Sequence, residues 1–97
     1  MRSGDSRVVA DRFRDNLVRL RKAAGLSQEE LGYRSGLHRT EIGMLEHGHR
    51  LPRIDTLVKL SRGLEVLPGV FLEGIEWKAT AWAEGSFGVR PEGEERS

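Results

Sequence analysis

Apolar residues recur at helical spacing through the first part of the chain. They fall three or four positions apart, on one helical face, at Val9, Phe13, Leu17, Leu20 and Ala24. This pattern predicts a first helix from about Ser6 to Ala24. Gly25 is expected to end it, because glycine adopts the left-handed conformation that often follows a helix C-cap.

Two similar helix-start signals then follow each other closely. In LSQEEL (26–31) a leucine and a capping serine precede a glutamate, which predicts a capping box with a hydrophobic staple. LHRTEI (37–42) repeats the arrangement, although its histidine is a weaker cap than serine. The sequence therefore predicts a second helix over about 28–35, a sharp turn at Gly36, and a third helix over about 39–47.

A fourth helix is predicted from about Ile54 to Arg62, with Gly63 ending it. Its inner face is expected to carry Ile54, Leu57, Val58 and Leu60 or Ser61. Pro68 favours the start of a short fifth helix that ends near Glu73. The fold class that follows is all-α.

Beyond Gly74 the pattern changes from helical to alternating, with apolar residues at Ile75, Trp77, Ala79, Phe87 and Val89. Glu84-Gly85-Ser86 (84–86) indicates the turn of a β-hairpin, and a single added strand is the alternative. The end, PEGEERS (91–97), is expected to be solvated and disordered. We therefore predict a helical domain over 1–74 and a C-terminal extension over 75–97.

Composition narrows the functional classes. The 97-residue chain has no cysteine, which excludes disulfides and thiolate metal sites. It has no apolar run long enough to span a bilayer, and its first residues lack the apolar segment of a signal peptide. We therefore expect a soluble, cytoplasmic protein.

The net charge of +1 is unevenly distributed. Residues 1–63 contain 13 basic and 8 acidic side chains, whereas residues 64–97 contain 3 basic and 7 acidic ones. A basic body with an acidic C-terminal region indicates a polyanionic partner for the body. An ordinary charged helical surface would give the same counts.

The two closely spaced helices have the pattern of a helix-turn-helix, in which a short turn containing glycine joins two crossing helices. The major groove of B-DNA admits one α-helix. The second helix of such a unit can lie in the groove while the first braces it. The second start signal thus places the first turn of that helix, with Arg39 and Thr40, at the surface.

Over Leu17 to about Leu72 the chain resembles the lambda-repressor-like, XRE-type helix-turn-helix domains. The matching segments are LRKAAGLSQEELG (20–32), SGLHRTEIGMLEHG (35–48) and LPRIDTLVKLSRGLEV (51–66). The resemblance implies a five-helix bundle that binds a DNA operator as a two-fold dimer, here with a short C-terminal strand or hairpin added. GLHRTEIG and LEHGHRLPRIDTL also look like segments of the small controller proteins of restriction–modification systems.

The same resemblance implies roles for individual residues. Contacts with DNA bases are expected from Arg39, Thr40, Gly43 and Met44. Contacts with the DNA backbone are expected from Gln28, His38, His47, Arg50 and Arg53. A structural ion pair is expected between Arg21 and Glu46. A dimer interface is expected at Val70 and Phe71, near the fifth helix where the family dimerises, and at Ile75 and Trp77, because the apolar face of a hairpin needs cover.

Plainer interpretations of these residues stay open. Arg39 can donate two hydrogen bonds to guanine, but it can equally contact a phosphate or be solvated. Gln28 is either a phosphate contact or an ordinary polar residue in the first turn of a helix. Trp77 and Trp82 are expected to be apolar anchors on the body or on a second subunit, because their acidic surroundings would repel a nucleic acid.

The sequence therefore predicts a sequence-specific transcriptional regulator that binds double-stranded DNA, most simply a homodimeric repressor without a cofactor. A protein-interaction module, such as an antitoxin-type partner that binds through the C-terminal tail, is the alternative. No catalytic constellation is found, so an enzyme is not expected. A metal site is not expected either, because the spacing of His38, His47 and His49 is unlike that of metal ligands on a helix.

Overall fold

The computed structural model describes residues 5–48 and 50–90, so the predicted disordered end and His49 lie outside it. Four α-helices are followed by a short 3-10 helix and a two-stranded antiparallel sheet. In chain order the elements are α1 (Arg7–Ala23), α2 (Gln28–Ser35), α3 (Arg39–Glu46), α4 (Ile54–Leu64), the 3-10 helix (Pro68–Leu72), β1 (Ile75–Ala81) and β2 (Glu84–Val89). None of these helices is long and apolar enough to cross a bilayer, and that statement covers the described residues alone.

The start of α2 carries the predicted capping box. The Ser27 hydroxyl accepts a hydrogen bond from the Glu30 amide at 3.0 Å, and a Glu30 carboxylate oxygen accepts one from the Ser27 amide at 2.8 Å. These bonds satisfy the Ser27 and Glu30 amides, which lie at the helix start and have no backbone acceptor within the helix. They also hold the pKa of the Glu30 carboxyl below its ordinary value, with the bond from the Ser27 amide contributing most.

One hydrophobic core joins the helices. Phe13 and Leu17 of α1 are fully buried, and the Phe13 ring packs against Phe71 with the ring centroids 5.8 Å apart. The other buried apolar residues of this core are Leu26, Leu31, Leu37, Ile42, Leu45, Leu57 and Leu60. Both predicted staple pairs, Leu26 with Leu31 and Leu37 with Ile42, belong to this core. The turns on either side of α2 are therefore packed against it.

The expected five-helix bundle is not confirmed, because Pro68–Leu72 forms a 3-10 helix and not a fifth α-helix; this segment is held against α1. Asn16, which is 1% exposed, donates hydrogen bonds to the carbonyl oxygens of Phe71 and Glu73 at 2.9 and 3.1 Å. Phe71 is 0% exposed. Its expected place in a dimer interface is therefore wrong, because its own subunit encloses the ring.

The inner face of α4 differs from the prediction. Ile54 and Val58 are 79% and 53% exposed. The buried residues of this helix are Thr56, Leu57, Leu60, Ser61 and Gly63. The buried face therefore carries the small polar residues Thr56 and Ser61 in place of Ile54 and Val58. The Ser61 hydroxyl remains satisfied by donating to the Val58 carbonyl oxygen at 2.7 Å.

Gly63 lies inside α4 and does not end it. A Cβ atom at this position would overlap the Ser35 hydroxyl oxygen of α2 and would lie 3.2 Å from a methyl carbon of Leu31. The glycine therefore permits close approach of two helices. The helix continues to Leu64, and Glu65 ends it in the left-handed conformation, with φ of 57°.

The C-terminal segment forms a hairpin, but its turn is not where the sequence placed it. The strands are joined at Trp82-Ala83, and Ala83 has a positive φ of 60°. Gly85, expected in the turn, lies in β2, where the Trp77 ring covers it so closely that a Cβ atom would overlap the indole. The glycine therefore serves a contact between strands and not a change of chain direction.

One face of the hairpin is apolar. Trp77 lies opposite Phe87, with the rings in a T-shaped arrangement and their centroids 4.8 Å apart. Ile75 lies opposite Val89 on the same face. Trp77 is 49% exposed and Trp82, at the hairpin tip, is 95% exposed, so Trp77 is the more buried of the two.

Two glycines inside helices give a matched test of how the fold is packed. A Cβ atom on Gly32 of α2 would lie 2.5 Å from the Leu37 carbonyl oxygen, which is part of the backbone and cannot move aside cheaply. A Cβ atom on Gly43 of α3 would meet only the Gln28 side chain, at an ordinary 3.7 Å. We expect Gly32→Ala to lower the free energy of unfolding by about 1–3 kcal/mol through this overlap. We expect Gly43→Ala to raise it by up to about 1 kcal/mol through helix propensity. Urea unfolding of both variants measures this, and equal effects would contradict the assigned packing.

Candidate nucleic-acid interface

The turn between α2 and α3 sets the angle at which the two helices cross. The Leu37 amide donates to the Gly32 carbonyl oxygen at 2.8 Å, and Gly36 is left-handed with φ of 71°. Gly32 lets the backbone at Leu37 lie directly against α2. The result is a tight turn that leads directly into α3, with His38, Arg39 and Thr40 exposed at its start.

His38 caps α3 with its side chain. Its Nδ1 atom accepts a hydrogen bond from the Thr40 amide at 3.1 Å. An Nδ1 atom that accepts has no proton, so in the neutral ring the proton lies on Nε2. The His38 ring is exposed, and its Nε2–H is therefore a donor available at the surface.

The residues expected to contact DNA bases lie together on the outer face of α3. They line a shallow depression together with two residues expected to contact the backbone; its lining is Gln28, Arg39, Thr40, Gly43, Met44 and His47. Arg39, Thr40 and His47 are exposed, whereas Gly43 and Met44 are partly buried. The first residue of α2, the first turn of α3 and the middle of α3 therefore share one surface.

A second depression adjoins the first and contains a residue that the sequence reasoning missed. It is lined by Glu29, Tyr33, Leu37, His38 and Arg39. Tyr33 is 89% exposed and presents a phenol beside the start of α3. The sequence signal that could have indicated Tyr33 is an aromatic residue on the polar face of a short amphipathic helix.

Arg50 and Arg53 lie apart from both depressions, in a groove between α3 and α4. The Arg53 Nε atom donates to an Asp55 carboxylate oxygen at 3.1 Å. This bond is the largest cause of the lowered pKa of the Asp55 carboxyl. The Arg53 side chain is 83% exposed, so the pair is solvent-screened and leaves the guanidinium accessible.

Arg21 and Glu46 form an ion pair behind this surface. The Arg21 Nε and Nη2 atoms donate to the two oxygens of Glu46 at 2.6 and 3.0 Å, and Nη1 donates to the Leu26 carbonyl oxygen at 2.8 Å. The two side chains are 12% and 7% exposed. The bond to Glu46 raises the pKa of Arg21 above its ordinary value. The pair ties α1 to α3 and to the turn before α2.

Within residues 5–48 and 50–90, no group of three or more His, Asp or Glu side chains has the arrangement of a metal site. The side chains that line the two depressions and the groove offer hydrogen-bond donors and acceptors and charged groups.

A sequence profile described as Helix-turn-helix matches residues 17–71 of the chain. The uncharacterized HTH-type transcriptional regulator y4dJ of Sinorhizobium fredii is 43% identical over 51 residues, which are 53% of this chain and 66% of that protein. The control protein C.BamHI of Bacillus amyloliquefaciens is 39% identical over 56 residues, 58% of this chain and 68% of that protein. The chain thus spans about two thirds of the length of these curated relatives.

The fold also matches solved structures. The crystal structure of the restriction-modification controller protein C.AhdI from Aeromonas hydrophila superimposes with a TM-score of 0.62 at 37% identity. The match covers 64% of this chain and 94% of that one. The hairpin lies beyond residue 71, where the helix-turn-helix profile ends.

The ion pair can be tested without DNA. We expect Glu46→Ala to lower the free energy of unfolding by about 3–5 kcal/mol, because it leaves the Arg21 guanidinium buried and unpaired. Glu41→Ala, in the same helix but at an exposed position, is the matched control and should cost less than about 1 kcal/mol. Thermal unfolding followed by circular dichroism measures both, and equal losses would show that the pair contributes no more than a surface charge.

Proposed function

We propose that this protein, which belongs to the helix-turn-helix family, regulates transcription by binding duplex DNA with α3 in the major groove. The observation that carries the proposal is the single surface on which Gln28, Arg39, Thr40 and Met44 meet. These side chains come from the start of α2 and from α3, the two elements that a helix-turn-helix presents to DNA.

Base recognition is assigned to the first turn of α3. Arg39 is exposed and can donate two parallel hydrogen bonds to guanine, and Thr40 can contact a thymine methyl group or a base edge. Gly43 and Met44 lie further along the same depression, where Gly43 has no side chain to donate or accept a hydrogen bond. Sequence discrimination is therefore expected to come mostly from Arg39 and Thr40.

Contacts with the phosphates would flank the base contacts. Gln28 and His38 lie at the starts of α2 and α3, where free backbone N–H groups also favour an anion. His47 follows the last residue of α3, and Arg50 and Arg53 lie in the next groove. Such contacts supply affinity and orientation, whereas the base contacts supply specificity.

A narrower version of the proposal is a controller of a restriction–modification system. It is supported by the 39% identity to the control protein C.BamHI and by the structural match to the controller C.AhdI. Whether such a protein activates or represses transcription depends on where its operator lies relative to the promoter. We propose repression as the simplest case.

We also propose that the protein acts as a homodimer, since one α3 in one groove recognises only a half-site. The hairpin offers a surface for the second copy: a two-stranded sheet has unpaired edges, and its apolar face and tip expose Trp77 and Trp82. With Phe71 enclosed in the core, the proposed interface consists of Val70, Ile75, Trp77 and Trp82. A different protein partner at this hairpin, as in an antitoxin, is the second candidate that the exposed Trp82 supports.

The proposed function is tested by selecting bound sites from a randomised duplex pool. We expect enrichment of a two-fold symmetric site with half-sites about 10 base pairs apart, because a symmetric dimer presents two α3 helices one helical turn apart. Binding to random duplex should also weaken steeply as salt rises. A pool that yields no preferred sequence, with no salt-dependent binding, would overturn the proposal.

Arg39→Ala should weaken binding to the selected site by about 1–3 kcal/mol and relax the preference at one base pair. Lys59→Ala is the matched control, because Lys59 is an exposed basic residue of α4 that lines neither depression nor the groove between α3 and α4. Fluorescence anisotropy on selected and scrambled duplexes measures both variants. An equal loss on the two duplexes would reassign Arg39 to a phosphate contact.

The dimer is tested by Trp82→Ala, which removes an almost fully exposed side chain and so leaves the subunit fold intact. If Trp82 is buried between two copies, its loss should raise the dimer dissociation constant about tenfold or more. Tyr33→Ala, which removes another exposed aromatic ring, is the control. Sedimentation equilibrium measures both, and an unchanged dimer in Trp82→Ala and in the double variant with Trp77→Ala would exclude the hairpin as the interface.

A further inference from the structure

Gln28 is exposed at the start of α2, yet its side chain is held in one position. Its Nε2 atom donates to a Glu46 carboxylate oxygen at 2.9 Å. The same oxygen accepts from Arg21 at 3.0 Å, and the other oxygen accepts from Arg21 at 2.6 Å. A carboxylate only accepts, so the amide group facing it must be the NH2 end.

The carboxylate that holds Gln28 is itself immobile. Glu46 is 7% exposed, and both of its oxygens are fixed by the planar Arg21 guanidinium. Arg21 is fixed in turn by its bond to the Leu26 carbonyl oxygen. A chain of polar contacts thus runs from α1, through the end of α3, to the first residue of α2.

The opposite end of the Gln28 amide lies over α3. Its Oε1 atom is 3.7 Å from the point where a side chain on Gly43 would begin. The amide therefore occupies the depression that also contains Arg39 and Thr40. One Nε2 hydrogen is donated to Glu46, and within residues 5–48 and 50–90 the second has no acceptor.

We propose that Glu46 is a positioning residue, which holds Gln28 ready to donate its second Nε2 hydrogen to a DNA phosphate. The inference rests on the proposed function, and it gives the buried ion pair a second role beyond stability. Ordering a free glutamine side chain opposes binding through lost rotamer freedom. Here that ordering occurs on folding, before DNA arrives.

A double-mutant cycle in the full chain tests the coupling. Gln28→Ala is combined with Glu46→Ala, which removes both carboxylate oxygens and so leaves Gln28 without this acceptor. Dissociation constants for one duplex are measured at fixed salt, at a temperature where circular dichroism shows every variant folded. We expect Gln28→Ala to weaken binding about tenfold in the unsubstituted protein, as for a hydrogen bond to a charged group. In the Glu46→Ala background its effect should fall below about twofold.

A second background guards against loss of the fold. Arg21→Met with Glu46→Leu replaces the ion pair by apolar side chains, which often preserves stability because no charge is left buried. Gln28→Ala should again have little effect there. Arg53→Ala, at a proposed phosphate contact held by Asp55 and not by Glu46, is the control and should weaken binding equally in all three backgrounds.

The outcomes separate the two ideas. An equal loss from Gln28→Ala in all three backgrounds would overturn the positioning role and leave the proposed function standing. No loss in the unsubstituted protein, while Arg39→Ala still weakens binding, would remove Gln28 from the DNA contacts and overturn the inference alone. Absence of salt-dependent duplex binding by the unsubstituted protein would overturn both.

Discussion

The contact between Arg21 and Glu46 is the constraint on which the rest of the arrangement depends. It is the point where α1, the turn before α2 and the end of α3 are fastened to one another by charged hydrogen bonds. Such a pair is costly to desolvate, and it contributes only if its geometry satisfies every donor. Here each of the three guanidinium nitrogens donates a hydrogen bond, which fixes α3 relative to α1 and to the turn before α2.

Much of this structure could be predicted because its signals are local. The capping box at Ser27 and the left-handed Gly36 are decided within a few residues, and the structure has both. The start of α3 at Arg39 follows for the same reason. The residues expected to contact bases also lie on one surface, because their relative places are set by helix geometry once the start of α3 is known.

The failures share a different cause, which is contact between residues on different helices or strands. The sequence predicts a helix end at Gly63, but this glycine is required by close packing against Ser35 on another helix. The sequence predicts a turn at Gly85, but this glycine lies under the Trp77 ring of the neighbouring strand. Asn16 gave no signal at all, although it holds the carbonyl groups of a segment 55 residues away. The spacing of residues within one segment carries no information about which residues of another segment they will contact.

The crowding at Gly32 determines how this surface can adapt to a partner. Because the Leu37 carbonyl lies where a methyl group would otherwise be, α2 and α3 cannot change their crossing angle without breaking backbone packing. The two helices therefore bind as a rigid unit with one crossing angle. On a duplex that does not match that shape, the bending and twisting must be done by the DNA. Base-pair steps that no side chain touches would then influence affinity through their flexibility.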